Sequence, residues 1–358
     1  MDKKRICMWL GKNMKILTIV PAHNEEPTLD SCINGIRNQT IETDILVVCD
    51  NCTDKTEQLA QSLEVNTLKT INNVHKKSGA LNQALDKYLL DYDLILVQDA
   101  DTIIDHRLLE NAVKEINKDK KLGAVCSKAG IKDIMSSKWS ELLWWHLQRI
   151  EYATFDSSRI ETAGSIKVVH GMAAVYRTAA LQQVKNKWGR IYDENNITED
   201  YELTICLKEL GWKTTACMDM RAWTEVPVTL KELWKQRVRW FRGGIDVLRT
   251  HGINKITITE YLQHILFIIL TVLNVLIIYY LSVVLISGGQ LGIHPLFYLV
   301  VAIVTLDGLY RLRYAENVKT IEIVIRLAIL PFSIYMMLYQ AQQLWAYWLS
   351  ITNAKNEW

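Results

Sequence analysis

The chain has 358 residues, a formal net charge of +2 and 49% hydrophobic residues, a length that accommodates two domains at about 150 residues each. The apolar content excludes a disordered chain, and the near-zero net charge argues against a nucleic-acid binder. The averages hide a split: 36 of the 41 Lys and Arg and 34 of the 39 Asp and Glu fall in residues 1–258, so the first part reads as a soluble globular domain and the last hundred residues as membrane.

At the N-terminus Ile6–Leu10 is too short for the apolar region of a signal peptide and is followed by Lys12 and Lys15, so none is expected. The seven cysteines then read as reduced thiols in a cytoplasmic compartment. Cys49-Asp50-Asn51-Cys52 has the spacing of a redox or zinc half-site, but no second pair accompanies it.

Ile16–Val20, Asp44–Val48 and Leu94–Val97 are short apolar runs of β type. Helical patterns lie between them at Thr28–Asn38, Lys55–Ser62 and Gly79–Leu90. Strands alternating with helices predict an α/β domain with a mainly parallel sheet, whose ligands bind beyond the carboxyl ends of the strands. Polar clusters fall at those ends: His23-Asn24-Glu25-Glu26, Asp50-Asn51 and Asp99-Ala100-Asp101. Two carboxylates at i and i+2 after an apolar strand offer hard oxygen ligands for Mg²⁺ or Mn²⁺ bridging to a substrate phosphate. A lone pair of this kind is usually a solvated turn; its place as the third acidic loop in register makes it functional. No glycine-rich Walker or dinucleotide fingerprint is present. Lys77-Ser78-Gly79 opens a helix whose N-terminus can face an anion, or Lys77 is an ordinary exposed lysine.

Trp139–Phe155 is apolar around most of a helix and is expected at the membrane surface, the alternative being burial against the core. Thr198 is a plausible N-cap, followed by the acids Glu199 and Asp200 in a first helical turn. A functional reading makes Asp200 a general base beside a metal. Gln236, Arg239 and Trp240 stand at i, i+3 and i+4 in a basic stretch, on one helical face. They either anchor lipid headgroups or hold a diphosphate and a sugar.

Leu262–Ile286, Ile293–Tyr310 and Leu327–Leu349 are read as three membrane spans. Arg311, Arg313, Lys319 and Arg326 lie between the second and third, which places that loop and the N-terminal domain in the cytoplasm and the C-terminus outside. Gln340, Gln342 and Gln343 in the third span line a carbohydrate path or hydrogen-bond neighbouring helices. The division is thus a catalytic domain over 1–228, an interfacial segment over 229–258 and a membrane domain over 259–352.

Taken in order, Val20-Pro21-Ala22-His23-Asn24-Glu25, Val48 through Asp54, Lys77-Ser78-Gly79-Ala80-Leu81-Asn82, Asp99-Ala100-Asp101, Thr198-Glu199-Asp200 and Gln236 through Trp240 resemble the inverting, membrane-embedded family-2 glycosyltransferases of the processive type, such as cellulose, hyaluronan and poly-N-acetylglucosamine synthases. The resemblance covers roughly residues 16–245. It implies a GT-A-like fold and a UDP-sugar donor. Ala22, Glu25 and Asp50 would line the nucleobase and ribose pocket, with Lys77 near the nucleotide and Asp99 on the donor. Asp101 would hold Mg²⁺ or Mn²⁺, and Asp200 would deprotonate the acceptor. Gln236 and Arg239 would grip the leaving diphosphate. Trp240 and Glu199 would face a glycan or lipid-linked acceptor. The enzyme would sit in the plasma membrane, extending a β-linked polysaccharide; alternatives are transfer of a single sugar or a non-catalytic sensor.

The sequence departs from the family pattern at His23, Cys49 and Cys52. It also departs at His170, which is either a third metal ligand or, preferably, acceptor-side lining or packing. Three spans are few for a channel, so a homo-oligomer or a partner subunit would assist translocation.

Overall fold

The computed structural model describes residues 14–288, 295–352 and 354. Ile6–Leu10, Cys7, the first residues of the expected second span (293 and 294) and Lys355 lie outside them. The chain divides into two compact units, Met1–Leu233 and Trp234–Trp358.

In the first unit β1 (Ile16–Ala22), α1 (Leu29–Arg37), β2 (Asp44–Cys49), α2 (Thr56–Ser62), β3 (Asn66–Lys69), α3 (Lys76–Tyr88) and β4 (Leu94–Gln98) follow the alternation in the sequence. Then come β5 (Ile103–Ile104), α4 (Leu108–Lys118), β6 (Leu122–Ile131), α5 (Trp139–Glu161), β7 (Ala173–Arg177), α6 (Thr178–Trp188), α7 (Glu199–Glu209) and β8 (Lys213–Thr224). One eight-stranded sheet has the order β3-β2-β1-β4-β7-β6-β8-β5. Its first four strands are parallel; β7 lies antiparallel between β4 and β6, and β6 is parallel to β8.

Period-two alternation places the core on both faces of this sheet. Ile16, Val20 and Ala22 of β1 join Leu29, Cys32, Ile33 and Ile36 of α1 on one face, the last four at helical spacing. Leu17 and Ile19 join Ala80, Leu81, Ala84 and Leu85 of α3 on the other. Because β1 pairs with β2 on one side and β4 on the other, the strand order switches there, and a crevice opens beyond the carboxyl ends of the three strands.

Helix α5 is covered by protein on part of its surface: Trp145, Leu147, Ile150 and Tyr152 are buried, whereas Trp139 at its start is 73% exposed. Trp145 and Tyr152 cluster with Ala129 and Ile131 of β6. The Trp145 indole donates to Lys132 O at 2.8 Å, and Gln148 donates to Pro227 O at 2.7 Å. The sequence showed apolar residues nearly all round, which is also the mark of a helix covered by protein.

The second unit begins within α8 (Leu230–His251) and continues with α9 (Ile258–Ile286), α10 (Pro295–Arg311), α11 (Thr320–Ala328) and α12 (Leu330–Ile351). Val238 and Ile245 of α8 pack with Ala346 of α12, Phe241 meets Tyr339 edge-on at 4.7 Å, and Arg249 donates to Ser350 O at 3.1 Å. Among the described residues two helices, α9 and the stretch Pro295–Tyr314, are long and apolar enough to cross a membrane; α11 and α12 make a third candidate if the bent pair is one span. The expected third span, Leu327–Leu349, is therefore interrupted. The chain bends by 78° between α11 and α12, with Ile329 at φ 63° and Pro331 in the first turn of α12. Proline has no N–H for the preceding turn and clashes with its carbonyl, which ends a helix arriving from upstream.

Candidate active site

The crevice at the strand ends is a cleft of about 560 Å³ lined by Ala22, His23, Glu25, Asp50, Asn51, Asn73, Lys76, Lys77, Asp99, Ala100 and Asp101, among others. The loops after β1 and β2 are stitched to one another. His23 Nδ1 lies 2.6 Å from Asp50 O, and Asn24 accepts from Thr53 N at 2.7 Å and Asp54 N at 3.3 Å. Asn24 and Asn51 have φ of 58° and 48°, the left-handed region that asparagine tolerates best after glycine.

Asp50 is 6% exposed. Its Oδ1 accepts from Thr70 Oγ1 at 2.7 Å, Asn73 Nδ2 at 2.8 Å and Asn51 Nδ2 at 3.1 Å. Three donors on one oxygen fix the carboxylate rigidly while compensating its burial.

After β4 the chain turns sharply, with Thr102 N donating to Asp99 O at 3.0 Å. The buried Gln98 amide holds the turn from beneath, donating to Thr102 O at 2.9 Å. Asp99 meets Lys77 Nζ at 2.5 Å, and Lys77 also reaches Glu199 at 3.2 Å. Asp101 Oδ1 accepts from Thr102 Oγ1 at 3.2 Å and Thr224 Oγ1 at 3.1 Å. Asp200 opens α7, accepting from Tyr201 N at 2.8 Å and Gly171 N at 3.3 Å. Gly171 faces the pair: a Cβ there would lie 2.8 Å from Lys77 Nζ and 3.7 Å from either Asp99 carboxylate oxygen. The absent side chain is what leaves room over them.

The electrostatics are those of an acid-rich cleft with Lys77 held among its carboxylates. Burial pushes Asp200 up to about 6, Glu199 adds to the rise and Lys77 opposes it. Burial also raises Asp99 against the pull of Lys77. Glu25 is raised by burial, countered by the Thr28 hydroxyl and reinforced by Asp101 and Asp99. Burial works against the Lys77 charge, but Asp99 and Glu199 outweigh it and hold the ammonium charged. Burial, with Arg159 nearby, takes His170 down to about 3. It is a neutral imidazole whose Nε2 donates to Ser127 O at 2.8 Å.

The expected residues Ala22, Glu25, Asp50, Lys77, Asp99 and Asp101 thus share one cleft, Glu199 joins it through Lys77, and His170 and Asp200 flank Gly171. Gln236, Arg239 and Trp240 belong to the second unit, on α8, where Arg237 stacks on the Trp240 ring at 4.2 Å. One detail differs from expectation. Thr198 holds the N-cap position of α7 without capping it, because its hydroxyl donates to Asn196 Oδ1 at 2.9 Å. Cys49 and Cys52 are free thiols, with Cys52 Sγ 3.3 Å from Ala22 O.

Residues to which the sequence assigned no role hold the site together. Asn73 supports Asp50 and also donates to Lys76 O at 2.7 Å. Asn82 clamps the loop that leads to Asp200, donating to Tyr192 O at 2.9 Å and accepting from Tyr192 N at 3.0 Å. Its amide also reaches Glu194 Oε1 at 3.0 Å.

Carboxylates at Asp99, Asp101 and Glu25, all of them hard oxygen donors lining one cleft, suit a divalent cation. Fold and cleft define an α/β domain built to bind a charged ligand at the strand ends. The sequence profile of glycosyltransferase-like family 2 matches residues 14–243, and the chain belongs to that family. It is 28% identical over 240 residues to the poly-β-1,6-N-acetyl-D-glucosamine synthase of Staphylococcus aureus, a match covering 65% of this chain and 55% of the relative. Against the synthase of the same name from Staphylococcus epidermidis it is 27% identical over 237 residues, covering 64% and 54%. The chain therefore spans about half the length of these relatives. A mannosyltransferase from Pyrobaculum calidifontis, solved with GDP-mannose and Mn²⁺, superposes with a TM-score of 0.55 at 14% identity, covering 99% of this chain and 94% of that one, a likeness of fold.

Proposed function

We propose that the chain is an inverting transferase that moves a sugar from a UDP-sugar to a growing β-linked glycan at a membrane. The donor's base and ribose rest against Ala22, Glu25 and Asp50, and Asp99 contacts the donor with Lys77 beside it. Gln236 and Arg239 receive the diphosphate; Trp240, Glu199 and His170 face the acceptor. Asp200 takes the proton from the acceptor hydroxyl as its oxygen forms the bond to the anomeric carbon. The carbon–oxygen bond to the diphosphate breaks on the opposite face, UDP departs with the electron pair, and the configuration inverts. One carboxylate suffices as base for such a single displacement. A divalent cation held by Asp101, Mg²⁺ or Mn²⁺, would neutralise charge on the leaving diphosphate.

The observation that carries this reading is Asp200, a carboxyl lifted to about 6 that accepts from the N–H of Gly171, the glycine facing Lys77 and Asp99. A base with a pKa near the working pH is both deprotonated and able to accept a proton. The polymerising half of the reading is supported by the two synthase relatives and by the Gln236–Trp240 spacing, since an indole face accepts a pyranose without reading chain length.

Membranes containing the chain, incubated with a panel of radiolabelled UDP-sugars, should give high-molecular-weight material from one of them. A single lipid-soluble product with no larger material would leave transfer but remove polymerisation. No incorporation from any donor would remove both.

A further inference from the structure

Leu262–Ile286 of α9 has no charged residue, and Asn274 stands at its midpoint, twelve residues from either end. At ~1.5 Å per residue each half is about 18 Å long, so a hydrocarbon layer ~30 Å thick places this amide near its centre. Its neighbours Leu273, Val275 and Ile278 are 48%, 60% and 49% exposed, and Asn274 itself is exposed. Among the described residues no hydrogen bond reaches its side chain.

Two hydroxyls on the same stripe are satisfied on their own helix: Thr271 donates to Phe267 O at 2.8 Å and Ser282 to Ile278 O at 2.8 Å. A primary amide carries two donors and an acceptor and has no such outlet here. In hydrocarbon an unpaired amide is costly. Thr271, Asn274, Ile278 and Ser282 fall within an arc of about 80° on the helix, so two small residues flank the amide and let a second backbone come close.

We propose that α9 pairs with α9 of a second copy of this chain, the two Asn274 amides hydrogen-bonding to one another. The amide is its own complement, and two copies inserted in the same direction bring it to the same depth. The contact is then isologous, with the same stripe on both sides. A different partner would have to supply a polar group at that same depth. The inference rests on α9 as a membrane span and not on the reaction catalysed.

The test uses the full-length chain in lipid vesicles, labelled for energy transfer between copies and diluted with lipid. The wild type should pair, Asn274→Leu should weaken pairing about tenfold, and Asn274→Gln, which keeps the amide, should restore most of it. Retained UDP binding in Asn274→Leu shows that the variant is folded. In oxidised membranes Ile278→Cys on the stripe should cross-link copies beyond the wild-type background, while Leu276→Cys on the opposite face should not. Unchanged pairing in Asn274→Leu, equal cross-linking on both faces, or a wild type that is monomeric at every dilution overturns the proposal. Release of the wild type by alkaline carbonate would remove the span and the pairing with it, leaving the proposed transfer reaction untouched.

Discussion

In the proposed reaction Asp200 is where burial and function oppose each other. A carboxyl raised from its ordinary value takes up a proton more readily in the folded state than in the unfolded one. Its contribution to stability is present below about pH 4 and is lost as the pH rises through about 6. Catalysis has the reverse sign, because only the ionised form accepts a proton. The rate of transfer should therefore rise with pH through about 6 and level off above it, measured with saturating donor. Asp200→Asn removes the proposed base and also the cost of an ionised buried carboxylate. Transfer should fall by about 10²–10⁴, UDP binding should stay within about twofold, and thermal unfolding should move up by a few degrees. A variant that lost activity and stability together would point to a structural role instead.

Asp101 separates metal from mechanism at the same scale. If it holds the cation, Mn²⁺ should raise the unfolding temperature of the wild type in the presence of UDP, and Asp101→Ala should abolish that shift. An equal shift in both would move the ion elsewhere. Gly171 offers a third residue-level test. A methyl 2.8 Å from Lys77 Nζ displaces only the flexible end of a lysine, so Gly171→Ala should fold with little loss. It should nevertheless raise the donor KM several-fold, because it fills the space over Lys77 and Asp99 (read by steady-state kinetics beside a melting curve).

At the scale of the element, α3 is the organising helix. Its approach places Asn73 against Asp50, its first turn carries Lys77 to Asp99 and Glu199, and Asn82 two turns on grips the loop before Asp200. Asn82→Ala removes a buried clamp on the backbone of Tyr192, at a cost of about 1–3 kcal/mol. It should lower kcat more than it weakens donor binding, since the loop it frees leads to the proposed base and not to the proposed nucleotide pocket. The helix itself was legible in Ser78-Gly79 followed by an apolar periodicity, and the acidic strand ends were legible because hydrophobic runs stop at them. The clamp was not: Asn82 holds residues 110 positions away in the chain, and no local pattern records a contact of that range. The same reason explains α5. Whether an all-round apolar helix meets lipid or protein depends on β6 and Pro227, which the helix's own sequence does not contain.

For the whole molecule the informative feature is the break before α12. The hydropathy of Leu327–Leu349 is nearly continuous, so the sequence alone reads one span. The two physical signs of the break, Pro331 and a left-handed β-branched Ile329, are local backbone events that hydropathy averages away. The bend leaves two routes for the chain, one that crosses the bilayer and one that turns back. Helix α12 has 22 residues, about 33 Å at ~1.5 Å per residue, enough to cross unaided, and its indoles Trp345 and Trp348 sit near one end, as interfacial anchors do. The Arg311, Arg313 and Lys319 loop favours the cytoplasmic side, so crossing carries the C-terminus to the other face. In sealed inverted vesicles a cysteine introduced at Asn317 should react with an impermeant maleimide, and a tag at the C-terminus should stay protected from protease until detergent is added. Protease removal of the tag from intact inverted vesicles would show instead that α11 and α12 enter and leave on one side, reducing the membrane portion to two crossings and removing the basis for a carbohydrate path along Gln340, Gln342 and Gln343.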